Sequence, residues 1–107
     1  MFELIIKALR SVWEFVKKVF FKIVSFVKNI VGFFKDEKRA QKLINDHNLI
    51  AVSIKEHLAT GNYQVVNCLF NKMTDTVDKE DVVVISADSL DEEAISKFNG
   101  TDMLVLT

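Results

Sequence analysis

Residues 2–35 sort by a helical period, and this pattern constrains the fold more than any other feature of the chain. On a helical wheel of about 100° per residue, the charged and small polar residues fall within an arc of about 140°. Nearly all aliphatic and aromatic side chains fill the remaining arc, and Phe21 is the one bulky residue that points into the polar face. A strand would need alternation with a period of two, which the segment lacks. The pattern therefore predicts one long amphipathic helix.

A weak internal repeat supports this prediction. The sequence of residues 15–20 resembles that of residues 26–31, eleven positions later. Eleven residues in three helical turns is about 3.67 per turn, so the apolar stripe stays nearly straight along the helix. A straight and broad stripe favours contact with a flat surface over the narrow seam of a two-stranded coiled coil.

Charge divides the chain at the same place. Residues 1–35 contain seven basic and two acidic residues, whereas residues 36–107 contain seven basic and thirteen acidic ones. Seven of the nine phenylalanines also precede residue 35. Such asymmetry indicates that the two parts face different surroundings. We therefore expect a cationic amphipathic helix over 1–35 and a small acidic α/β domain over 36–107.

The C-terminal part contains several short apolar runs. Residues 49–54, 63–70, 82–87 and 103–106 are expected to be strands, with 63–70 and 82–87 paired as a hairpin. The spacing of Ser89 and Glu92 is that of a capping box and predicts a helix over 91–98 that Gly100 ends. Residues 82–106 then read as a β-α-β unit with parallel strands. The expected fold class is α+β, with a three- or four-stranded sheet.

Residues that carry chemistry are few. His47, His57 and Cys68 follow no recurrent zinc spacing, and the acidic residues between 75 and 81 lack the pattern of a calcium loop. Three widely separated glycines exclude a glycine-rich phosphate loop. A Cys68–His57 nucleophile pair would need proximity that the sequence does not indicate. The sequence thus predicts no enzyme, cofactor, metal site or small-molecule substrate.

The N-terminal segment is unsuited to crossing a bilayer, because lysines interrupt every apolar run long before about 20 residues. It also lacks the uninterrupted apolar core of a secretory signal. Nucleic acid is not an expected partner, because the basic face backs onto a wide apolar one and the rest of the chain is acidic.

The expected function is that of a non-enzymatic peripheral membrane protein on the cytoplasmic side of a membrane. A stripe this wide exceeds what the acidic domain can cover, and a cationic polar face suits anionic lipid. The C-terminal domain would then bind a partner or support assembly. The predicted membrane or assembly face comprises Trp13, Val16, Phe20, Ile23, Phe26, Val27, Ile30 and Phe34. The lysines predicted to face headgroups are Lys7, Lys17, Lys18, Lys22 and Lys28.

An alternative uses the same helix without lipid. Copies of the chain would bury their apolar faces against one another and form a self-assembling structural protein in solution. In both cases something outside the monomer covers the stripe. A third alternative is that the stripe packs on the C-terminal domain of the same chain, but the width of the apolar face and the cationic polar face count against it.

Overall fold

A computed structural model of the chain describes residues 1–106 and has an α+β fold, as the sequence predicts. The sheet has five strands rather than three or four. In chain order the elements are α1 (Phe2–Val12), a 3₁₀ turn (Trp13–Phe15), β1 (Lys17–Val24), a π-helical turn (Phe26–Val31), α2 (Gly32–Phe34), α3 (Glu37–Asn45), β2 (Leu49–His57), β3 (Tyr63–Asn71), β4 (Thr76–Leu90), α4 (Glu92–Phe98) and β5 (Met103–Val105).

The single helix predicted over residues 2–35 requires correction. The helix ends at Val12 and its 3₁₀ extension at Phe15, after which β1 runs through the centre of the predicted helix. Five of the eight residues of β1 are β-branched or aromatic, the types that pack well on a pleated surface. Pairing with β4 along almost the whole strand satisfies one side of its backbone. These long-range hydrogen bonds outweigh the local helical pattern.

The strands lie in the order β1-β4-β3-β2-β5. The predicted hairpin is confirmed, since β3 and β4 pair antiparallel. The predicted β-α-β unit is wrong, because β5 pairs antiparallel with β2 at the far side of the sheet. The reason is that β3 and β1 occupy both sides of β4, and β1 is its parallel neighbour. Residues 103–105 pair instead with the side of β2 that β3 leaves free.

Hydrophobic side chains fill both faces of the sheet. On one face α1 buries Ile5, Ala8 and Leu9 against side chains that include Val52 and Val84. On the other face the helical turns of residues 26–34 pack with α4, through side chains that include Phe26, Ile30, Phe34, Ile85 and Phe98. Both clusters contain residues from before and after position 35.

The capping box predicted at Ser89 is not the cap of α4. Ser89 lies within β4, and the N-cap is Asp91, whose carboxylate accepts a hydrogen bond of 2.8 Å from the backbone N–H of Ala94. The helix ends at Phe98, and its C-cap Asn99, which has a left-handed φ of 48°, precedes the predicted terminator Gly100.

A buried polar chain links the sheet to the helical layer. The Ser53 hydroxyl donates to the side-chain oxygen of Asn67 at 2.8 Å, and the Asn67 amide donates to the backbone carbonyl of Asn29 at 2.9 Å. The side chain of Asn29 accepts in turn from the N–H of Ser25. Ser53 and Asn67 are fully buried, so these bonds satisfy groups that water cannot reach.

Candidate functional site

The edge strand β1 and the turns that flank it expose an unusual number of large apolar side chains. Five of the twelve exposed large hydrophobic residues in the described chain fall between residues 15 and 27. Phe20 is 63% exposed and Ile23 is 53% exposed. We define the β1 surface as the exposed apolar residues Phe15, Phe20, Phe21, Ile23 and Val27 together with the exposed lysines Lys17, Lys18, Lys22 and Lys28.

Pairing with β4 fixes which side of the sheet each residue of β1 faces. Lys18 lies opposite Val84, which belongs to the core beneath α1, and Phe20 is two residues further along on the same face. Phe21 lies opposite Ala87, which belongs to the core of the other face. The strand therefore presents aromatic side chains on both faces of the sheet edge.

The β1 surface is strongly cationic. Its four lysines face solvent, and the only carboxylate between residues 13 and 35 is Glu14. Lys18 donates through Nζ to the backbone carbonyl of Trp13 at 2.9 Å and lies 5.6 Å from the centre of the Trp13 ring. Lys79, at the start of β4, lies 5.3 Å from the Phe15 ring and extends the same cationic and aromatic character.

An open groove of about 660 Å³ runs between β1, the π-helical turn and the first part of β4. Lys17, Lys28 and Lys79 line it together with the rings of Phe15, Phe21 and Phe33. The acidic residue Glu80 also lines the groove, but the lysines outnumber it, so the lining combines net positive charge with apolar surface and suits a ligand that is both anionic and apolar.

Arg39 also lines the groove but is already engaged with the protein. Its guanidinium stacks 3.8 Å above the Phe33 ring and donates to the carbonyl of Glu80 at 3.0 Å. Its Nε lies 3.3 Å from the Asp81 carboxylate, an ion-pair contact without the alignment of a hydrogen bond. Lys42 donates to the other oxygen of Asp81, and this bond raises the pKa of Lys42. Arg39 therefore links α3 to β4 and stabilises their packing.

The structure divides the eight residues of the predicted apolar face into three groups, by burial. Val16, Phe26, Ile30 and Phe34 are buried in the two cores. Trp13 is partly buried against the core beneath α1. Phe20, Ile23 and Val27 are exposed. Of the lysines predicted to face headgroups, Lys7 is exposed on α1, and Lys17, Lys18, Lys22 and Lys28 are exposed on and beside β1.

Two residues of the β1 surface, Phe15 and Phe21, are missing from the predicted face. On the helical wheel Phe21 points into the polar side. As a strand, residues 19, 21 and 23 form one apolar face, so an alternating reading of residues 17–24 would have identified Phe21. Phe15 is exposed in the 3₁₀ turn before β1.

The side chains most suited to catalysis or metal binding, those of Cys68, His57 and His47, do not lie close together. Cys68 is fully buried, and burial raises the pKa of its thiol to about 12. His57 stacks on Tyr63 at the far end of β2, five residue pairs from Cys68 and about 17 Å along the strand. His47 is exposed after α3. Residues 1–106 bring together no three side chains suited to hold a metal ion.

Within residues 1–106, every helix falls short of the length and apolar character that a membrane crossing requires. Comparison with known protein families, characterised proteins and solved structures finds no match for the chain.

Proposed function

We propose that the chain is a non-enzymatic peripheral membrane protein that binds anionic lipid, on the cytoplasmic side of a membrane, through the β1 surface. One observation carries the proposal: the most numerous group of exposed large apolar side chains in residues 1–106, the five between residues 15 and 27, coincides with four exposed lysines and one exposed carboxylate. The segment is the one in which the sequence pattern predicts membrane contact, but the surface is an edge strand and its turns.

The expected energetics favour this surface. Each lysine close to an anionic leaflet adds about 1 kcal/mol of attraction. A phenylalanine side chain that leaves water completely adds about 1.5–3 kcal/mol, and partial insertion adds a fraction of that. Aromatic rings also suit the zone between headgroups and acyl chains. Lysine and phenylalanine contributions of this size are sufficient for reversible binding without a membrane-spanning segment.

The groove supports the same proposal. A lipid phosphate beside Lys17, Lys28 and Lys79 would leave its acyl chain close to the Phe15 and Phe21 rings. An isolated phosphate ion would use only the charged half of this lining. We therefore expect vesicles to bind more tightly than soluble phosphate compounds.

Vesicle flotation tests the proposal on the full chain. Phosphatidylcholine vesicles with phosphatidylserine should carry the protein upward, and vesicles of phosphatidylcholine alone should carry far less. The double variant Phe20→Glu, Ile23→Glu should lose at least about tenfold in binding to anionic vesicles, because it replaces two exposed apolar side chains with carboxylates that anionic lipid repels. Neither site is buried, so the fold should persist.

A matched control uses exposed apolar residues elsewhere. Ile44 on α3 is 67% exposed and Ile95 on α4 is 58% exposed, so the variant Ile44→Glu, Ile95→Glu makes the same chemical change away from β1. It should float like the wild type. Absence of anionic-vesicle binding by the wild type would overturn the proposal, as would equal losses in the two variants. A discrete oligomer that ignores vesicles would favour the alternative of assembly without lipid.

A further inference from the structure

The outer side of β1 lacks a strand partner in the part of the chain that the structure describes. β1 is eight residues long and ends the sheet, with β4 on its inner side only. Of its backbone groups, only the Val24 carbonyl bonds outside the strand pair, to the N–H of Asp91. The opposite sheet edge, β5, has only three residues. An eight-residue edge with free N–H and C=O groups is a template for another strand, and the three lysines of β1 restrict which registers such a strand can take.

We propose that the occupant of this edge is a second copy of the chain, paired β1 to β1 and antiparallel across a two-fold axis at Phe21. A homodimer most often has two-fold symmetry. A two-fold axis perpendicular to the sheet keeps the same face of both copies on the same side. Because directly opposed residues of an antiparallel pair share a face, the axis must then pass between one residue and its own copy. Only two such registers pair seven residues of β1 with seven of its copy: one is centred on Phe20 and the other on Phe21.

Charge decides between the two registers. Centring on Phe20 places Lys18 opposite Lys22 at two symmetric positions, and like charges directly opposite destabilise a strand pair. Centring on Phe21 places Lys18 opposite Val24 and Phe20 opposite Lys22, with no lysine opposite another. The sequence of β1 therefore suits the register centred on Phe21.

The side chains in this register also complement one another by type. On the face away from α1, Phe21 meets its own copy and Val19 meets Ile23 on both sides of it. These are the aromatic and β-branched pairs that stabilise antiparallel strands. On the α1 face, Phe20 meets Lys22, where a ring and an ammonium group attract each other. The product is one continuous ten-stranded sheet.

This pairing does not depend on lipid. Its hydrogen bonds use the backbone edge of β1, its side-chain pairs involve residues of the β1 surface, and it is tested in lipid-free buffer. A failure of the dimer therefore leaves the membrane proposal in place, and a failure of lipid binding leaves the dimer in place.

Cross-linking of single-cysteine variants tests the register in lipid-free buffer. Phe21→Cys should form a disulfide-linked dimer under mild oxidation, because each new thiol faces its copy. Val19→Cys and Ile23→Cys should each cross-link poorly alone but efficiently when mixed. The native Cys68 is fully buried and does not compete. A short bis-maleimide should cross-link the same pairs, and it does not require the strict geometry of a disulfide. Ile44→Cys is the control for cross-linking by random collision.

Sedimentation supplies a second readout. The wild type should be dimeric at about 100 µM, whereas Phe21→Lys should weaken the dimer at least about tenfold by placing two ammonium groups face to face. Ile44→Lys should leave it unchanged. A monomeric wild type, self-linking at Phe20→Cys instead of Phe21→Cys, or open chains that grow with concentration would each overturn the proposal.

Discussion

Asp91 accepts a hydrogen bond from the backbone N–H of Phe26, with both of its carboxylate oxygens 3.2 Å from that nitrogen. The same carboxylate caps α4 at Ala94. Asp91 therefore serves the first turns of two helical segments that are 65 residues apart in sequence. Its backbone N–H also bonds to the Val24 carbonyl at the end of β1. This one residue fixes where β1 ends and the π-helical turn begins.

We expect Asp91→Ala to lower the free energy of unfolding by about 2 kcal/mol, because an N-cap contributes about 1 kcal/mol and a second buried N–H loses its acceptor. Asp91→Asn should cost less, since an amide oxygen still accepts one bond. Denaturant unfolding of the two variants measures the difference. Ser89→Ala is the control and should change stability by less than about 0.5 kcal/mol. A larger loss at Ser89 than at Asp91 would contradict the assigned cap.

The buried chain of Ser53, Asn67 and Asn29 gives a second prediction. Asn67→Leu should destabilise the fold by about 1–3 kcal/mol, because the Asn29 carbonyl and the Ser53 hydroxyl are left without partners. Ser53→Ala should cost less, since Asn67 still bonds to Asn29. Denaturant unfolding measures both variants. Equal losses in the free energy of unfolding would show that the hydrogen bond from Asn67 to the π-helical turn contributes little to stability.

Lys42 gives a prediction about pH. Its hydrogen bond to Asp81 raises its pKa above the ordinary 10.5, so protonated Lys42 stabilises the folded state. That contribution is fully present below pH 10.5 and is lost as the pH rises through the folded-state pKa. The stability difference between wild type and Lys42→Met should therefore shrink above about pH 10.5. A difference that grows over that range would contradict the assigned bond.

Cys68 should be chemically inert in the folded protein. Because burial raises the pKa of the thiol to about 12, very little thiolate exists at neutral pH. A thiol reagent should label the native chain far more slowly than the chain in denaturant. Labelling of the native protein as fast as that of the unfolded chain would contradict the buried position of Cys68.

The hairpin of β3 and β4 is predictable from sequence because both strands are runs of β-branched and apolar residues joined by a polar turn. β1 is not, because residues 16, 20 and 23 recur at helical spacing while residues 19, 21 and 23 alternate. The two patterns coexist in one segment. Pairing of Phe21 with Ala87, 66 residues later, decides between them, and no local pattern contains that information.

The candidate site shows the same limit. Lysine clustering around residues 17–28 is visible in the sequence and survives in the structure as exposed charge. Which apolar residues join it depends on packing: Phe26 and Ile30 fit the predicted face as well as Phe20 does, yet the sheet buries them. The sequence also does not reveal that Asp91 rather than Ser89 caps α4. Asp91 bonds to the N–H of Phe26, and that residue is 65 positions away in the chain.

A fluorophore placed at Phe20 tests the central claim most directly. An environment-sensitive dye on Phe20→Cys should shift to shorter wavelength when phosphatidylserine-containing vesicles are added, whereas the same dye on Ile44→Cys should not. Phosphatidylcholine vesicles should produce no shift at either site. An unchanged spectrum at Phe20 in the presence of anionic vesicles, or a shift only at Ile44, would contradict the assignment of the β1 surface to lipid.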